Sequence, residues 1–276
     1  MLAQRVATSI VLLGLILSAV FYFPQNYFVL FITLVMGVAI WEWSALAGLS
    51  SMPARSCYVL AMLMLMALIS LSESPLTIVL YLGVLFWIVA LLLILIFPAG
   101  KSLWASNPVL ILAGIPLFVP GWLAFGILRG QEYFEFHILL LFFLVAAADI
   151  GAYFAGRKFG KNKLAVLVSP NKTWEGFFGG MLACILLVIV TVLIISDELA
   201  EINFTYWLKL VVSAILISVF SVVGDLLESM IKRYRNVKDS GKILPGHGGI
   251  LDRIDGLTSA APLYVILALQ LGSGII

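Results

Sequence analysis

The chain has 276 residues, 63% of them hydrophobic and only 11% charged, with a mean hydropathy of +1.16 and a formal net charge of +2. Soluble domains carry about 25% charged residues, so a water-soluble globule is excluded. The small net charge says little by itself; its distribution along the chain says much more.

A helical crossing of the bilayer needs about 20 apolar residues. Nine runs meet or approach that length, at approximately Ala7–Phe23, Tyr27–Ala47, Ser56–Leu71, Pro75–Phe97, Pro108–Leu128, Phe136–Ala155, Thr173–Ile195, Tyr206–Met230 and Leu257–Ile276. The fold class expected is therefore all-α, a polytopic integral membrane protein with about nine transmembrane helices. The third run is short for a crossing. The first follows Arg5 and resembles a signal peptide, but further spans follow it and no A-x-A cleavage site ends it, so it is kept as a membrane helix. Cys57 and Cys184 lie in or beside apolar spans without the spacing of a metal knuckle or redox pair, and are read as packing residues.

Alternating nine crossings puts 14 of the 16 Lys and Arg on one side: Arg5, Arg55 and Lys101, a cluster from Arg157 to Lys172, and a second from Lys232 to Arg253. Only Arg129 and Lys209 remain opposite. Cytoplasmic loops collect Lys and Arg, so the amino terminus is expected in the cytoplasm and the carboxyl terminus in the periplasm of an inner-membrane protein. The acids follow the same division. Glu73, Glu132, Glu135, Asp197, Glu198 and Glu201 fall in outer loops, whereas Glu42, Asp149, Glu175, Asp225, Glu228, Asp239, Asp252 and Asp255 gather near the inner ends of their segments. A carboxylate inside a span costs roughly 2.5–3.5 kcal/mol on insertion scales, so a cation or a basic loop must offset it. Glu42 stands alone, and topology with a snorkelling side chain explains it as well as a site does.

The motifs lie in the second half. Around Asp149, the residues Ala148, Ala152, Gly156 and Gly160 recur every four positions, the small-residue pattern that lets membrane helices approach closely, and Arg157 lies at the membrane surface. Ser169-Pro170 reads as a helix cap and first helical position. A helix starting there would aim free N–H groups at an anion beside Lys172 and Thr173, with Glu175 one turn further on. Asp225, Glu228, Ser229 and Lys232 share one helical face, a polar stripe that must look into protein or water rather than lipid. The last inner loop contains Lys238-Asp239 and a glycine-rich turn around His247, followed by Asp252-Arg253-Ile254-Asp255. On a helix Asp252 and Asp255 share a face, offering the hard oxygen ligands that Mg2+ requires, and Arg253 between them suits phosphate. His247 either hydrogen-bonds a phosphate or braces the turn. His137, near the outer interface, is read as structural.

Taken together, the run from Ser229 through Lys232-Arg233 and Lys238-Asp239 to Leu244-Pro-Gly-His247-Gly-Gly-Ile-Leu-Asp252-Arg253-Ile-Asp255 resembles the phosphatidate cytidylyltransferase family. The Asp149…Gly156-Arg157 and Ser169-Pro-x-Lys172-Thr-x-Glu175-Gly elements also resemble it, so the resemblance covers roughly residues 140–276. It implies a nucleotidyltransferase of phospholipid biosynthesis that makes CDP-diacylglycerol and pyrophosphate from CTP and phosphatidic acid. It also implies Mg2+, a site open to the cytoplasm and a homodimer. Membrane lipids are the expected surroundings and no nucleic-acid partner is expected.

On that resemblance, the residues expected to act on the reaction are Asp225, Asp252, Asp255 and Lys238. Asp225 and Asp252 would hold Mg2+, with Asp149 or Asp255 completing the shell or holding a second cation of unspecified identity. Arg157, Ser169, Lys172, Thr173, Ser229, Lys232, Arg233, Asp239, His247 and Arg253 would bind substrate. Residues 1–130 are expected to be transmembrane helices shaping the lipid cavity. Residues 131–276 would be the catalytic transmembrane domain, with cytoplasmic loops 156–172 and 231–255. A transporter is the alternative class, since intramembrane acids also mark ion pathways, but no inverted repeat is evident and the acids gather at one depth. A CDP-alcohol phosphotransferase is disfavoured because Asp255-Gly256 is followed by Leu-Thr-Ser-Ala, not by that family's D-G-x-x-A-R string.

Overall fold

Long apolar runs in a chain with few breakers satisfy their backbone internally as helices. The computed structural model describes residues 2–72, 76–195 and 204–271. In chain order the elements are α1 (Leu2–Tyr22), α2 (Gln25–Leu46), α3 (Met52–Ser70), α4 (Thr77–Leu95), the single turn α5 (Lys101–Trp104), α6 (Asn107–Arg129), α7 (Phe134–Phe159), the strands β1 (Lys163–Ala165) and β2 (Ser169–Thr173), α8 (Trp174–Ile195), α9 (Phe204–Tyr234) and α10 (Leu251–Leu271). Among the described residues, α2, α3, α4, α6, α7, α8 and α9 are long and apolar enough to cross a membrane, and Val6–Tyr22 is a shorter apolar helix. The chain is thus a polytopic membrane protein; eight of the nine expected spans correspond to these helices, and the ninth, Leu257–Ile276, falls on α10, which is not one of them. The expected outer-loop acids Glu73, Asp197, Glu198 and Glu201, and the end of the last expected span, lie outside the described residues.

Three boundaries differ from expectation, each for a local reason. Helix α3 starts earlier than Ser56 and reaches 19 residues, because the Ser51 side chain accepts from the Ala54 N–H and Pro53 occupies its first turn. Arg55, inside that turn, is accommodated by donating to Ser44 Oγ and the Trp41 carbonyl while stacking on the Trp41 ring. Helix α9 runs to 31 residues, about 46 Å, well beyond a hydrocarbon core of about 30 Å, so its polar stripe occupies the overhanging end.

The third difference is a correction. Ser169 does not cap a helix. Ser169–Thr173 is a strand paired antiparallel with Lys163–Ala165, in the register Lys163 with Thr173 and Ala165 with Ser169. The helix begins at Trp174, and Thr173 caps it, its Oγ1 accepting from the Gly176 N–H at 3.1 Å. Glu175 folds back onto the hairpin, accepting from the backbone N–H groups of Lys161 and Asn162 and from the Asn162 side chain.

Helices α7 and α8 meet along small residues. A Cβ on Gly180 would collide with the Ala148 carbonyl, and one on Gly176 would press on the Ala152 carbonyl and Gly156. Helix α10 lies in the middle of the bundle, with Ala260, Ala261, Tyr264 and Val265 buried against its neighbours. Gly224 lets α9 close on α10, since any side chain there would meet the Asp255 backbone and Ser259. Segment ends sort as alternate crossing requires. At one end Arg235 reaches the Leu46 carbonyl and Asn107, Trp104 packs on Tyr234, and Thr8 donates to the Pro245 carbonyl. At the other, Arg129 donates to the Phe23 carbonyl and lies over the Phe134 ring.

Candidate active site

At the first of those ends, two cavities adjoin. The smaller, about 270 Å3, is lined by Asp149 of α7, Ser221, Asp225 and Lys232 of α9, Asp239 of the following loop, and Asp252, Arg253, Asp255 and Gly256 of α10. The larger, about 600 Å3, is enclosed by the loop itself, with Lys238, Asp239, Lys242, His247, Gly248 and Arg253 in its wall. Asp239 and Arg253 belong to both. An acidic chamber therefore opens beside a basic one, and five aspartates from three helices and a loop converge as Gly224 permits.

Helix periodicity sets the acidic wall. Asp225, Ser229 and Lys232 lie on one face of α9, and Ser229 Oγ donates to Asp225 Oδ1 at 3.1 Å. Lys172, at the end of the hairpin, forms an ion pair with Asp225 Oδ2 at 2.7 Å. Lys232 bonds Asp252 Oδ1 and lies 3.3 Å from Glu228 Oε1, tying α9 to α10 through a nearly buried cation. Asp252 Oδ2 accepts from the Ser240 and Gly249 N–H groups, so this carboxylate also closes the loop onto the start of α10. Asp149 and Asp239 take no hydrogen bond or ion pair from any described residue, and Asp255 accepts from the Gly256 N–H and faces the Glu228 carboxyl.

The loop is shaped by two left-handed glycines, Gly246 at φ 77° and Gly248 at φ 83°, conformations that L side chains rarely adopt. Leu244 and Gly248 bridge across the turn. The His247 carbonyl accepts from both Nε and an Nη of Arg253, while its ring reaches Ser9 Oγ at 3.3 Å. Bracing is thus what the His247 contacts display.

Several expected residues lie elsewhere. Thr173 is buried as the α8 cap and packs against Gly156 and Gly160, so it is not open to a ligand. Ser169 sits in the hairpin ladder and lines neither cavity. Arg157 is exposed and bonds the Tyr153 hydroxyl at 3.1 Å, and Arg233 donates to the Val168 carbonyl. Neither arginine lines the chambers: Arg157 is bonded within its own helix, and Arg233 is held at the hairpin. Lys172 and Ser229 reach the acidic chamber through Asp225. His137 is buried and bonded to the Tyr264 hydroxyl, and Cys184 is buried, as packing roles require; Cys57 is exposed.

Two residues had no site role in the sequence reading. Glu42, 2% exposed on α2, accepts from Ser240 Oγ at 3.1 Å and from the Ile250 and Leu251 N–H groups at 3.2 and 2.8 Å. It supplies the anion at the amino end of α10 that helix ends favour. A lone acid whose partners are some 200 positions away leaves no spacing to read. Glu228 lies on the polar face of α9 and is 3% exposed, with Lys232 as its ion-pair partner.

The donor set can be tested against a divalent cation. Among the described residues no three His, Cys, Asp or Glu side chains are gathered tightly enough to cage an ion. Mg2+ arriving with a phosphate needs only one or two carboxylates, keeping water and phosphate oxygens for its other positions. The acidic chamber offers hard oxygen donors of that kind, and they fit.

The pattern of the Cytidylyltransferase family matches residues 3–271. A phosphatidate cytidylyltransferase of Pseudomonas aeruginosa is 37% identical over 274 residues, covering 99% of both chains. One of Haemophilus influenzae is 38% identical, covering 96% of this chain and 97% of its own. One of Staphylococcus epidermidis is 48% identical over 134 residues, about half of each chain.

Proposed function

Because this chain belongs to the Cytidylyltransferase family, we propose that it is a phosphatidate cytidylyltransferase, joining CTP and phosphatidate into CDP-diacylglycerol with release of pyrophosphate. The observation that carries the reading at the level of chemistry is the pair of adjoining chambers, one acidic and one basic, that share Asp239 and Arg253.

In the reaction a phosphate oxygen of phosphatidate attacks the α-phosphorus of CTP; a new phosphoanhydride bond forms and the bond to the β-phosphate breaks. The nucleophile is already ionised near neutral pH, so the protein needs no Ser, Cys or His nucleophile and contributes positioning and charge compensation. Lys238, Lys242 and Arg253 are suited to the triphosphate and the departing pyrophosphate, with Lys172 and Lys232 at the rim of the acidic chamber. Arg233 acts through the hairpin that it holds, and Arg157 is exposed at the end of α7. Asp225 and Asp252, with Asp149 or Asp255, are the groups that would hold Mg2+, which when bound neutralises phosphate charge and orients the triphosphate. Glu42 and the left-handed glycines keep the loop in shape.

The charge pattern supports a cytoplasmic amino terminus and cytoplasmic chambers in an inner membrane, and family resemblance supports a homodimer. Purified protein incubated with labelled CTP, Mg2+ and phosphatidate, followed by lipid extraction, tests the reaction. Label should enter the organic phase only with added phosphatidate. Asp225→Asn and Asp252→Asn should each lower turnover on the order of 10²-fold or more; near-normal rates in both at limiting Mg2+ would overturn the metal roles.

A further inference from the structure

An apolar cavity of about 480 Å3 lies against α9 on the side turned away from the acidic chamber. Its wall includes Leu91 and Leu95 of α4, Leu167 of the hairpin, Phe177 of α8, and Val222 and Leu226 of α9. Pockets of about 300–1,000 Å3 are large enough to enclose whole ligands or substantial parts of them. From Val219 to Leu226 the groove follows α9 for about 10 Å, the rise of seven residues.

Two features tie the groove to the polar site. Val222 is one turn from Asp225, so the groove and the acidic chamber flank α9 at the same depth, and the Lys172–Asp225 ion pair links the hairpin to that chamber. The hairpin that supplies Lys172 also forms the groove's mouth. Its tip presents Val166 and Leu167, 59% and 60% exposed, between the basic residues Lys161, Lys163 and Lys172. An apolar tip flanked by cations suits the membrane interface, where hydrocarbon lies below and headgroups above. The mouth therefore stands at the depth where a lipid phosphate meets its acyl chains.

We propose that this groove seats one acyl chain of the phosphatidate substrate, holding the lipid phosphate at Lys172 and the edge of the acidic chamber. The inference rests on the reading of the protein as a phosphatidate cytidylyltransferase. It moves most of the chain-binding wall out of residues 1–130, of which only the end of α4 and Phe97 just beyond it take part. Lipid tails are as apolar as the groove, so burial supplies little net attraction. The groove's contribution is alignment, and displaced reacting groups lose rate steeply.

Val219→Trp fills the groove without touching the polar chambers. With long-chain phosphatidate in mixed micelles, kcat/KM should fall roughly 10- to 100-fold, while turnover of dihexanoyl phosphatidate and the KM for CTP stay unchanged. An equal fall for both lipids, or none for either, overturns the proposal. Wild-type protein gives a measurement independent of folding in the variant: phosphatidate with a diazirine on its acyl chain, cross-linked by light and mapped by mass spectrometry. Label should fall within residues 164–168 and 219–226. Label elsewhere, or the same label from a phosphatidylglycerol analogue, which would mark a bulk-lipid site, overturns the proposal. Absence of phosphatidate-dependent CTP turnover in the wild type would instead refute the enzymatic reading, so the two failures are distinguishable.

Discussion

Glu42→Ala removes a carboxylate from the floor of the loop without altering any group in the two chambers. The wild-type side chain accepts three hydrogen bonds, from Ser240 Oγ, Ile250 N and Leu251 N, at 2.8–3.2 Å in a buried setting. Hydrogen bonds to charged groups contribute about 1.5–3 kcal/mol each, so simple addition gives about 5–9 kcal/mol. That sum is an upper bound, because bonds to one carboxylate are not additive and Ser240 is able to turn toward water. Loss of a helix cap alone costs about 0.5–2 kcal/mol, and leaving two amides without partners adds about 1–3 kcal/mol each. The expected loss is therefore about 3–8 kcal/mol, a fall in apparent Tm of roughly 5–25 °C for a chain of this size. Thermal denaturation in detergent reads the stability, and amide exchange at Ile250 and Leu251 should quicken in step. CTP turnover should fall as well, because Asp252 is fixed by the same loop. Glu42→Gln, which keeps one acceptor oxygen, should fall between wild type and alanine. An alanine variant with unchanged Tm and full turnover would refute the view that α2 anchors the loop through this group.

Three further outcomes are expected. Lys232→Met strands Glu228 and Asp252 without their cation and should destabilise by about 3–5 kcal/mol, whereas adding Glu228→Leu to it should restore part of the apparent Tm; a double variant no better than the single one would count against a buried triad. Gly180→Ala forces a methyl against the Ala148 carbonyl, which should cost about 1–3 kcal/mol and lower turnover by shifting neighbouring Asp149; wild-type Tm and rate together would argue against that close approach. Glu175→Gln should speed amide exchange at Lys161 and Asn162 several-fold with little change at the α10 amides, which hydrogen-exchange mass spectrometry resolves by peptide.

The helices were legible because a membrane span is a statement about length and hydropathy, and both can be read without knowing the neighbours. Alternation then forced Asp149, Asp225, Asp252 and Asp255 to one end, which is why a linear pattern could anticipate a chamber made by three helices. The small-residue stripe from Ala148 to Gly160 was equally legible, since close approach requires small residues whatever the partner. The hairpin was not. Pro170 fits a first helical turn and an extended edge strand alike, and nothing local reveals that Lys163–Ala165 will pair with it. That misreading explains why Ser169 and Thr173 were expected at a ligand and lie in a β-hairpin instead. Glu42 shows the opposite limit: its meaning depends wholly on partners in a loop at the far end of the sequence.

The arrangement also explains how one membrane end tolerates so many acids. Asp225 and Asp252 have lysine partners from different elements, Lys172 from the hairpin and Lys232 from α9, while Asp149 and Asp239 are exposed and Asp255 lies against Glu228. The internal lysines thereby stabilise the chamber before any ligand arrives, and they are the same cations that a phosphate would seek. On the proposed function, a phosphate would compete with Asp225 for the partly exposed Lys172 while Lys232 stays buried between two helices. On that proposal Lys172 would be the cation that turns to the substrate, and Lys232 is the one that ties α9 to α10.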